Sequence, residues 1–277
     1  MKAYFSLLLI GFLLSAPGLL RAQQGRAYSV THNGDTGEGS LRWALEQANR
    51  NTGYDTIWIE ATQATKLTIR PQNPLPTITE GLLLLNSNGH PVFGPSVIID
   101  GSALNFDTPG LAVEAARVII GGLTITGFKG AGLYVGARAS GVLVGLKEAP
   151  NLISGNRDFQ VQIEGAGYTV LRYNNIGCSA SGVNYYNGAF MGKGGVQISA
   201  VRDSVVIGGL PGKEGANLIS GNGGPGIVLD DARHCLIGNN YIGVSIESND
   251  PLPNRGAGIE LRNNSKENRI IGNLIGA

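Results

Sequence analysis

The hexapeptide NLISGN occupies residues 151–156, and the same six letters return at residues 217–222. The likeness extends upstream, since GLKEAP precedes the first copy and GLPGKEGA precedes the second. Each copy places two apolar residues between Asn and Ser-Gly-Asn, and Asn and Gly are the residue types that best tolerate the positive φ of sharp turns. The repeat therefore predicts a short strand between two corners, in a chain built from stacked units.

A shorter unit becomes visible when the chain is read outward from these copies. It consists of an alternating stretch, a tight apolar run that ends in Gly, and a third short strand such as NNIG at 174–177. The first apolar residues of six such units are Leu111, Leu133, Val161, Val196, Ile227 and Ile259. Three short strands cannot bury their apolar sides alone, whereas parallel stacking ~4.8 Å apart gives one continuous core. The pattern predicts an all-β, right-handed, single-stranded parallel β-helix.

Other repeat folds do not fit this pattern. The sequence has neither the longer antiparallel blades of a propeller nor the fixed Leu-Asn register of leucine-rich repeats. It also lacks Gly-Gly-x-Gly-x-Asp, the signature of calcium-binding nonapeptide repeats, so we expect no structural calcium. We likewise expect no metal site and no cofactor. In stacked coils, Asn side chains at equivalent corners can hydrogen-bond to the backbone, and we expect the Asn residues of NLISGN to form such a ladder.

Composition and the N-terminus indicate an exported protein. The formal net charge is only +1, so the chain shows no basic footprint for nucleic acid. Residues 1–22 predict a signal peptide, because Lys2 precedes an apolar run at 5–14 that is shorter than the ~20 residues of a membrane span. We expect a secreted or cell-surface protein with no membrane span after signal cleavage. Cys178 and Cys235 fall at different phases of the repeat, which favours two packed thiols over a disulfide.

The stretch GSLRWALEQANR predicts a capping helix at 40–50, with Ser40 as its N-cap. Its apolar stripe consists of Leu41, Ala44, Leu45 and Ala48. We assign 23–54 to an N-terminal cap and 55–277 to the β-helix. Strands are expected at 55–60, 66–69, 76–79, 82–85 and 97–100. The apolar pattern continues into the final IIGNLIGA, so we expect the β-helix to be truncated or to continue beyond residue 277.

The N-terminal region resembles that of bacterial secreted right-handed β-helix proteins that carry a CSLREA-type motif. The positions that match the motif are Ser40, Leu41, Arg42 and Ala44, whereas Gly39 replaces Cys and Trp43 replaces the acidic residue. The downstream NLISGN and NNYIG units resemble the coils of the same family. The resemblance implies a pectate-lyase-like fold and export. It implies no activity, because this fold hosts lyases, hydrolases, epimerases and adhesins.

Alternation in the first strand of each unit separates inward from outward residues. The outward residues form two columns: Ala112, Tyr134, Gln162, Gln197, Val228 and Glu260, followed by Glu114, Gly136, Glu164, Ser199, Asp230 and Arg262. An extended polymer can lie across the coils on this face. The candidate catalytic residues lie on or beside it: Asp230, Asp231, His234, Glu260 and Arg262.

These candidates fit two kinds of chemistry and one purely structural role. Carboxylates one or two coils apart stand roughly 5–10 Å from each other, which spans the separations used by glycosidases. Arg262 beside Asp230 can instead stabilise an enolate in a lyase. Asp230 and Arg262 also fit an ordinary cross-strand ion pair on a solvated face. The chain lacks the motif sets of β-helical polygalacturonases and alginate epimerases.

Candidate ligand-binding residues are Glu164 on the outward face and three aromatic residues in the inserted stretch 179–195. The three aromatics are Tyr185, Tyr186 and Phe190. A long loop on a rigid solenoid is a natural binding element, although these rings can equally fold back over a side of the β-helix.

Two functional hypotheses follow from the sequence. The first is an exported structural or adhesive module that binds a glycan, with extracellular polysaccharide or a host or cell-surface glycan as partner. The second is a polysaccharide lyase or glycoside hydrolase that acts on an extended polysaccharide along the outward coil face.

Overall fold

The structure is a computed structural model that describes residues 25–61, 65–85, 96–178, 192–209, 214–246 and 250–276. The predicted aromatics Tyr185, Tyr186 and Phe190 and the predicted signal peptide at 1–22 lie outside the described residues. The described chain forms one α-helix, α1 (Leu41–Arg50), and short strands numbered β1 to β23 in chain order. No helix among the described residues is long and apolar enough to cross a membrane.

The strands stack into three parallel sheets. Sheet A contains β1 (Ala27–Val30), β2 (Asp55–Ile59), β4 (Leu82–Leu85), β7 (Ile119–Gly121), β10 (Leu143–Val144), β13 (Val170–Leu171), β16 (Val206–Gly208), β19 (Leu236–Gly238) and β22 (Arg269–Ile271). Sheet B contains β3 (Leu67–Ile69), β5 (Val97–Asp100), β8 (Leu123–Thr126), β11 (Leu152–Ile153), β14 (Asn175–Ile176), β17 (Leu218–Ile219), β20 (Tyr241–Ile242) and β23 (Leu274–Ile275). Sheet C contains β6 (Leu111–Val113), β9 (Leu133–Val135), β12 (Phe159–Glu164), β15 (Gly194–Ser199), β18 (Ile227–Asp230) and β21 (Ile259–Arg262).

From β6 onward each coil passes through sheet C, then sheet A, then sheet B, which confirms the predicted parallel β-helix. Every strand pairs with the equivalent strand of the next coil, so inward residues stack on inward residues. In sheet B, for example, Ile153, Ile176, Ile219 and Ile242 are in register and fully buried. In the last described coil Leu261 is 49% exposed, because no further described coil packs on it.

Helix α1 covers the first coil, as the apolar stripe predicts. The Ser40 hydroxyl accepts a hydrogen bond from the backbone N–H of Trp43 at 3.2 Å, and the stripe from Leu41 to Ala48 is buried. Trp43 meets Tyr28 of β1 edge to face, with ring centroids 5.8 Å apart. The parallel pairing of β1 with β2 was not anticipated. The predicted strand at 76–79 was wrong, because only an isolated bridge from Ile78 to Val113 forms there.

The corner between sheets A and B is built around a ladder of buried asparagines. Asn151, Asn174, Asn217, Asn240 and Asn273 each lie one residue before a strand of sheet B. Each Nδ2 in the first four donates to Oδ1 of the next at 2.9–3.0 Å, and also to a backbone carbonyl of sheet A at 2.9–3.1 Å. The predicted ladder is therefore confirmed at this corner.

The Gly of each NLISGN copy turns the chain out of sheet B. Gly155 has φ 75° and Gly221 has φ 72°, in the left-handed region that disfavours side chains with Cβ. The two copies lie in β11 and β17, with β14 between them, so the motif recurs in every second coil.

Both cysteines are buried free thiols. Burial raises the pKa of Cys178 to about 12 and that of Cys235 to about 11. Both thiols therefore stay protonated and unreactive near neutral pH.

Candidate functional site: the outward face of sheet C

The outward face of sheet C carries the two columns that alternation predicts. The first column is in register from Ala112 through Tyr134, Gln162, Gln197 and Val228 to Glu260. In the second column Glu164, Ser199, Asp230 and Arg262 pair in sequence. The stacking is regular, but the side chains on it differ from coil to coil, so different coils can carry different chemistry.

Near the N-terminal end of this face, a tyrosine lies between two glutamates. The Tyr134 hydroxyl donates a hydrogen bond to Glu164 Oε2 at 3.1 Å. On its other side, Glu114 folds over Gly136, and its carboxylate occupies the space that a Cβ at position 136 would take. Glu114 Oε2 also accepts a hydrogen bond from the backbone N–H of Arg138 at 3.1 Å, which fixes this carboxylate. The glycine therefore lets Glu114 lie flat against the sheet.

This arrangement changes the acidity of the tyrosine. Burial first, and then the hydrogen bond and the negative charge of Glu164, raise the pKa of Tyr134 to about 12, with a further contribution from Glu114. The phenol therefore keeps its proton at every physiological pH. It is a permanent hydrogen-bond donor beside an aromatic face that is only half-buried.

A groove of about 410 Å³ opens beside Tyr134. Its polar lining comes from Thr77, Asp107, Glu114, Tyr134, Asp158 and Gln162. Gln162 donates to Gln197 Oε1 at 3.2 Å and to Asp158 Oδ1 at 3.3 Å. No lysine or arginine is among the described residues that line the groove, although Lys193 Nζ lies 2.8 Å from Asp158 at its edge. The groove is therefore acidic and rich in hydrogen-bonding groups.

The predicted catalytic residues lie at the C-terminal end of the same sheet, where the structure brings three of the five together. Asp230 and Arg262 pair across neighbouring strands, and Glu260 lies on the strand of Arg262. Arg262 forms its ion pair with Glu260, at 2.7 Å (Nε to Oε1) and 2.8 Å (Nη2 to Oε2), and not with Asp230. The Asp230 carboxylate accepts a hydrogen bond from the Asn263 amide. The hydrogen bond from Arg262 lowers the pKa of Glu260 below its usual range.

The other two candidates lie at the corner where sheet C passes into sheet A. Asp231 has φ 50° and pairs with Arg202 at 2.5 Å, and His234 has φ 58° and lies 3.1 Å from Glu267 on the next coil. Each of the two has its own partner in a neighbouring coil, and the structure does not bring them together with Glu260.

Of the predicted ligand-binding residues, Glu164 is in the acidic groove region through its bond with Tyr134. Sequence reasoning placed Tyr134 and Glu114 in the outward columns but did not single them out. The sequence contained the signal, because the predicted register stacks Glu114, Gly136 and Glu164 in three successive coils. Asp107 and Asp158 come from the connections before β6 and β12, and no repeat pattern fixes where such residues lie.

No group of three or more His, Cys, Asp or Glu residues in the described part of the chain is arranged to hold a metal ion. No protein-family model matches this sequence, and no curated protein matches it at a significant level.

A similarity to one solved structure informs about the fold. Pectate lyase Pel9A superposes with a TM-score of 0.55 at 16% sequence identity, over 90% of this chain. The chain spans 63% of the length of that lyase. At this identity the similarity shows the fold alone, and it shows that the chain has a pectate-lyase-like parallel β-helix.

Two further structures overlap at scores too low to inform about fold. The A-module of the Azotobacter vinelandii mannuronan C-5 epimerase AlgE4 has a TM-score of 0.26 at 13% identity, covering 90% of this chain and 97% of its own. The alginate lyase from Paenibacillus sp. str. FPU-7 has a TM-score of 0.24 at 14% identity, covering 91% of this chain and 99% of its own.

Proposed function

We propose that this protein is an exported β-helix module that binds an extended glycan along the outward face of sheet C, in a structural or adhesive role. The observation that carries the proposal is the groove beside Tyr134. It combines a half-buried aromatic ring with amide, hydroxyl and carboxylate groups that can bond to sugar hydroxyls. The flat stacking of coils suits a ligand that extends over several of them.

The charge of the groove selects the class of glycan. Asp107, Glu114 and Asp158 line it with three carboxylates, and Lys193 at its edge supplies one compensating amine. A fourth carboxylate, Glu164, lies next to it on the hydroxyl of Tyr134. Polyuronates carry a negative charge on each sugar and are repelled by such a surface. The groove therefore favours a glycan without acidic groups, either uncharged or bearing amino groups.

The experiment is a titration of the purified protein with three soluble hexasaccharides: cellohexaose, a chitosan hexamer and hexagalacturonate. We expect binding of the first two, with the chitosan hexamer weakened by added salt, and negligible binding of hexagalacturonate. Tyr134→Ala should weaken binding about tenfold or more, as loss of an aromatic anchor does.

The matched control is Tyr168→Ala. Tyr168 is 59% exposed at the corner between sheets C and A, away from the groove, and its loss should leave affinity unchanged. Preferential binding of hexagalacturonate would contradict the proposal, as would full affinity in a folded Tyr134→Ala protein.

The second candidate function is hydrolysis or lysis at the other end of the face. It is favoured by the position of two carboxylates, Asp230 and Glu260, on neighbouring strands. Its weakness is that Glu260, with its lowered pKa, stays ionised and cannot serve as a general acid near neutral pH. Assaying the same protein–hexasaccharide mixtures for new reducing ends detects hydrolysis, and assaying them for unsaturated uronates detects lysis. Turnover that disappears in Asp230→Asn and Glu260→Gln would establish the enzyme and displace the binding proposal.

Export and kinship belong to the same proposal. The apolar run at 5–14 supports a signal peptide, and the Ser-Leu-Arg-x-Ala helix supports kinship with CSLREA-type bacterial surface proteins. Sequencing the N-terminus of the protein from the culture medium or the cell surface tests export. We expect the mature chain to begin near Gln23.

A further inference from the structure

A second groove, of about 690 Å³, runs along the outer side of the corner between sheets A and B. The bottom of the groove is formed by the residues that immediately precede the ladder asparagines in four successive coils. These residues are Tyr173, Ala216, Asn239 and Gly272. Tyr241 and Leu274, which point outward from sheet B, form one side. The groove therefore extends roughly 15 Å along the axis of the β-helix.

The groove exists because the corners differ in length. The chain passes from β13 to β14, from β19 to β20 and from β22 to β23 through very short connections, whereas the corners after β10 and β16 are longer. Described residues of the two longer corners meet across 67 positions of sequence, where Lys147 Nζ lies 2.5 Å from Glu214 Oε2. The groove lies beside this ion pair, along the short corners.

Tyr173 lies in the short corner of the coil between these two longer corners. It lines the groove together with Glu214, whose pKa is lowered chiefly by the hydrogen bond from Lys147. Lys147 and Glu214 are the charged residues among those that line the groove, and they neutralise each other. The corner groove is thus uncharged overall, in contrast to the acidic groove on sheet C.

The lining chemistry fits a sugar better than an ion. Tyr173 and Tyr241 present half-buried rings on which the C–H face of a pyranose can pack. The Asn239 side chain, the phenol groups and the paired Lys147 and Glu214 supply donors and acceptors for its hydroxyls. A self-neutralised ion pair gives no net attraction for a charged ligand.

We propose that this corner groove is a second carbohydrate site, which takes an uncharged oligosaccharide segment. The ligand class rests on the proposed function, whereas the position rests on the groove alone. The first groove lies on sheet C, and the second lies at the corner between sheets A and B. The two grooves are therefore on different sides of the β-helix. One molecule can then hold two separate glycan chains and cross-link them.

The test is isothermal titration with cellohexaose and with N-acetylchitohexaose, both uncharged. We expect two sites per chain for at least one probe. Tyr241→Ala should remove one site, and Tyr134→Ala should remove the other. Tyr168→Ala, the exposed tyrosine on neither groove, should keep both. Circular dichroism on each variant verifies that the β-helix is intact.

The outcomes separate the two proposals. If Tyr134→Ala abolishes all binding while Tyr241→Ala retains the wild-type stoichiometry, the corner site is refuted and the sheet C site stands. If Tyr241→Ala abolishes all binding while Tyr134→Ala has no effect, the corner site stands and the sheet C site fails. Absence of binding for both probes refutes the corner site outright. The chitosan hexamer of the earlier titration then decides the sheet C site alone.

Bridging gives an independent readout. Mixing the protein with soluble hydroxyethyl cellulose should raise the scattered light or viscosity for the wild type and for Tyr168→Ala. Either Tyr134→Ala or Tyr241→Ala should abolish the increase, because one remaining site cannot cross-link. An increase that survives Tyr241→Ala would overturn the bridging role.

Discussion

The inside of the corner between sheets A and B differs from the outward face of sheet C in how far its side chains repeat from coil to coil. At the corner the same residue recurs in five described coils, and each of the first four asparagine side chains donates to the asparagine of the next coil. On the face of sheet C the register is equally regular, yet neighbouring coils place Glu, Gly, Glu, Ser, Asp and Arg in one column. The difference shows that repetition holds the coils together, whereas departure from repetition varies the chemistry of the outward face.

The largest expected effect is at the centre of the ladder. Asn217→Ala removes a buried side chain that donates to Leu171 O and Asn240 Oδ1 and accepts from Asn174. Because buried partners are left unpaired, we expect a loss of about 3 kcal/mol in the free energy of unfolding. Urea titration followed by circular dichroism measures it.

The end of the ladder supplies the matched comparison. Asn273 accepts two hydrogen bonds from Asn240 but is only partly buried and donates to no further described asparagine. Asn273→Ala should therefore cost clearly less than Asn217→Ala. Equal losses would show that the ladder is not cooperative along the stack.

A smaller effect is expected at the glycine that ends the repeated motif. Gly221 has φ 72°, so Gly221→Ala places a Cβ in the left-handed region at a cost of about 1–2 kcal/mol. Gly221→Asn should lose less, because asparagine tolerates this conformation. The same urea titration ranks the two variants, and a more stable Ala variant would contradict the corner geometry.

On the outward face of sheet C, the next expected effect is on how the stability of the fold depends on pH in the alkaline range. The pKa of Tyr134 is raised to about 12, whereas an unfolded tyrosine titrates near its ordinary value of 10.0. The unfolded state therefore ionises first, and the stability linked to Tyr134 is present below pH 10 and is lost as pH rises towards 12.

Tyr134→Phe tests this linkage. The variant should show a shallower fall in melting temperature between pH 10 and 12 than the wild type. Tyr54, whose pKa burial also raises, remains in both proteins and cancels in the difference. An identical alkaline profile for the two proteins would mean that folding does not raise the pKa of Tyr134.

The smallest effect is expected at the far end of the same face. Arg262 and Glu260 are exposed, and their ion pair is screened by solvent and salt. Arg262→Ala should leave the urea midpoint unchanged at 0.15 M salt. A distinct loss of stability would show that this pair contributes more than a solvated surface pair does.

The sequence could predict everything that repeats. Apolar alternation fixes the inward residues of sheet C, since a slip of one residue would expose them. The Asn and Gly residues mark where the short strands end. The ladder and the α1 stripe follow from the same local rules. The strand β1 was not predicted because its four residues lie outside any repeat. The strand predicted at 76–79 was wrong because an alternating string alone does not show how many backbone hydrogen bonds form.

The site was less predictable, and the reason is physical. Column membership of Tyr134, Glu114 and Glu164 follows from register, but the fold of Glu114 over Gly136 depends on side-chain rotamers that only packing selects. The choice of Arg262 between Asp230 and Glu260 is of the same kind. The register places both Asp230 and Glu260 within reach of Arg262, and the side-chain geometry determines that Arg262 pairs with Glu260.

By itself, then, the sequence determined the scaffold: parallel coils, inward columns, asparagine corners and a helical cap. Each of these follows from a local rule, namely period-two alternation, turn-forming Asn and Gly, or a helical apolar stripe. Only the tertiary structure decided where concave surface arises. The groove beside Tyr134 and the groove outside the asparagine corner both depend on how connections of unequal length project from the stack. Unequal connections obey no period, so their consequences appear only when the coils are assembled.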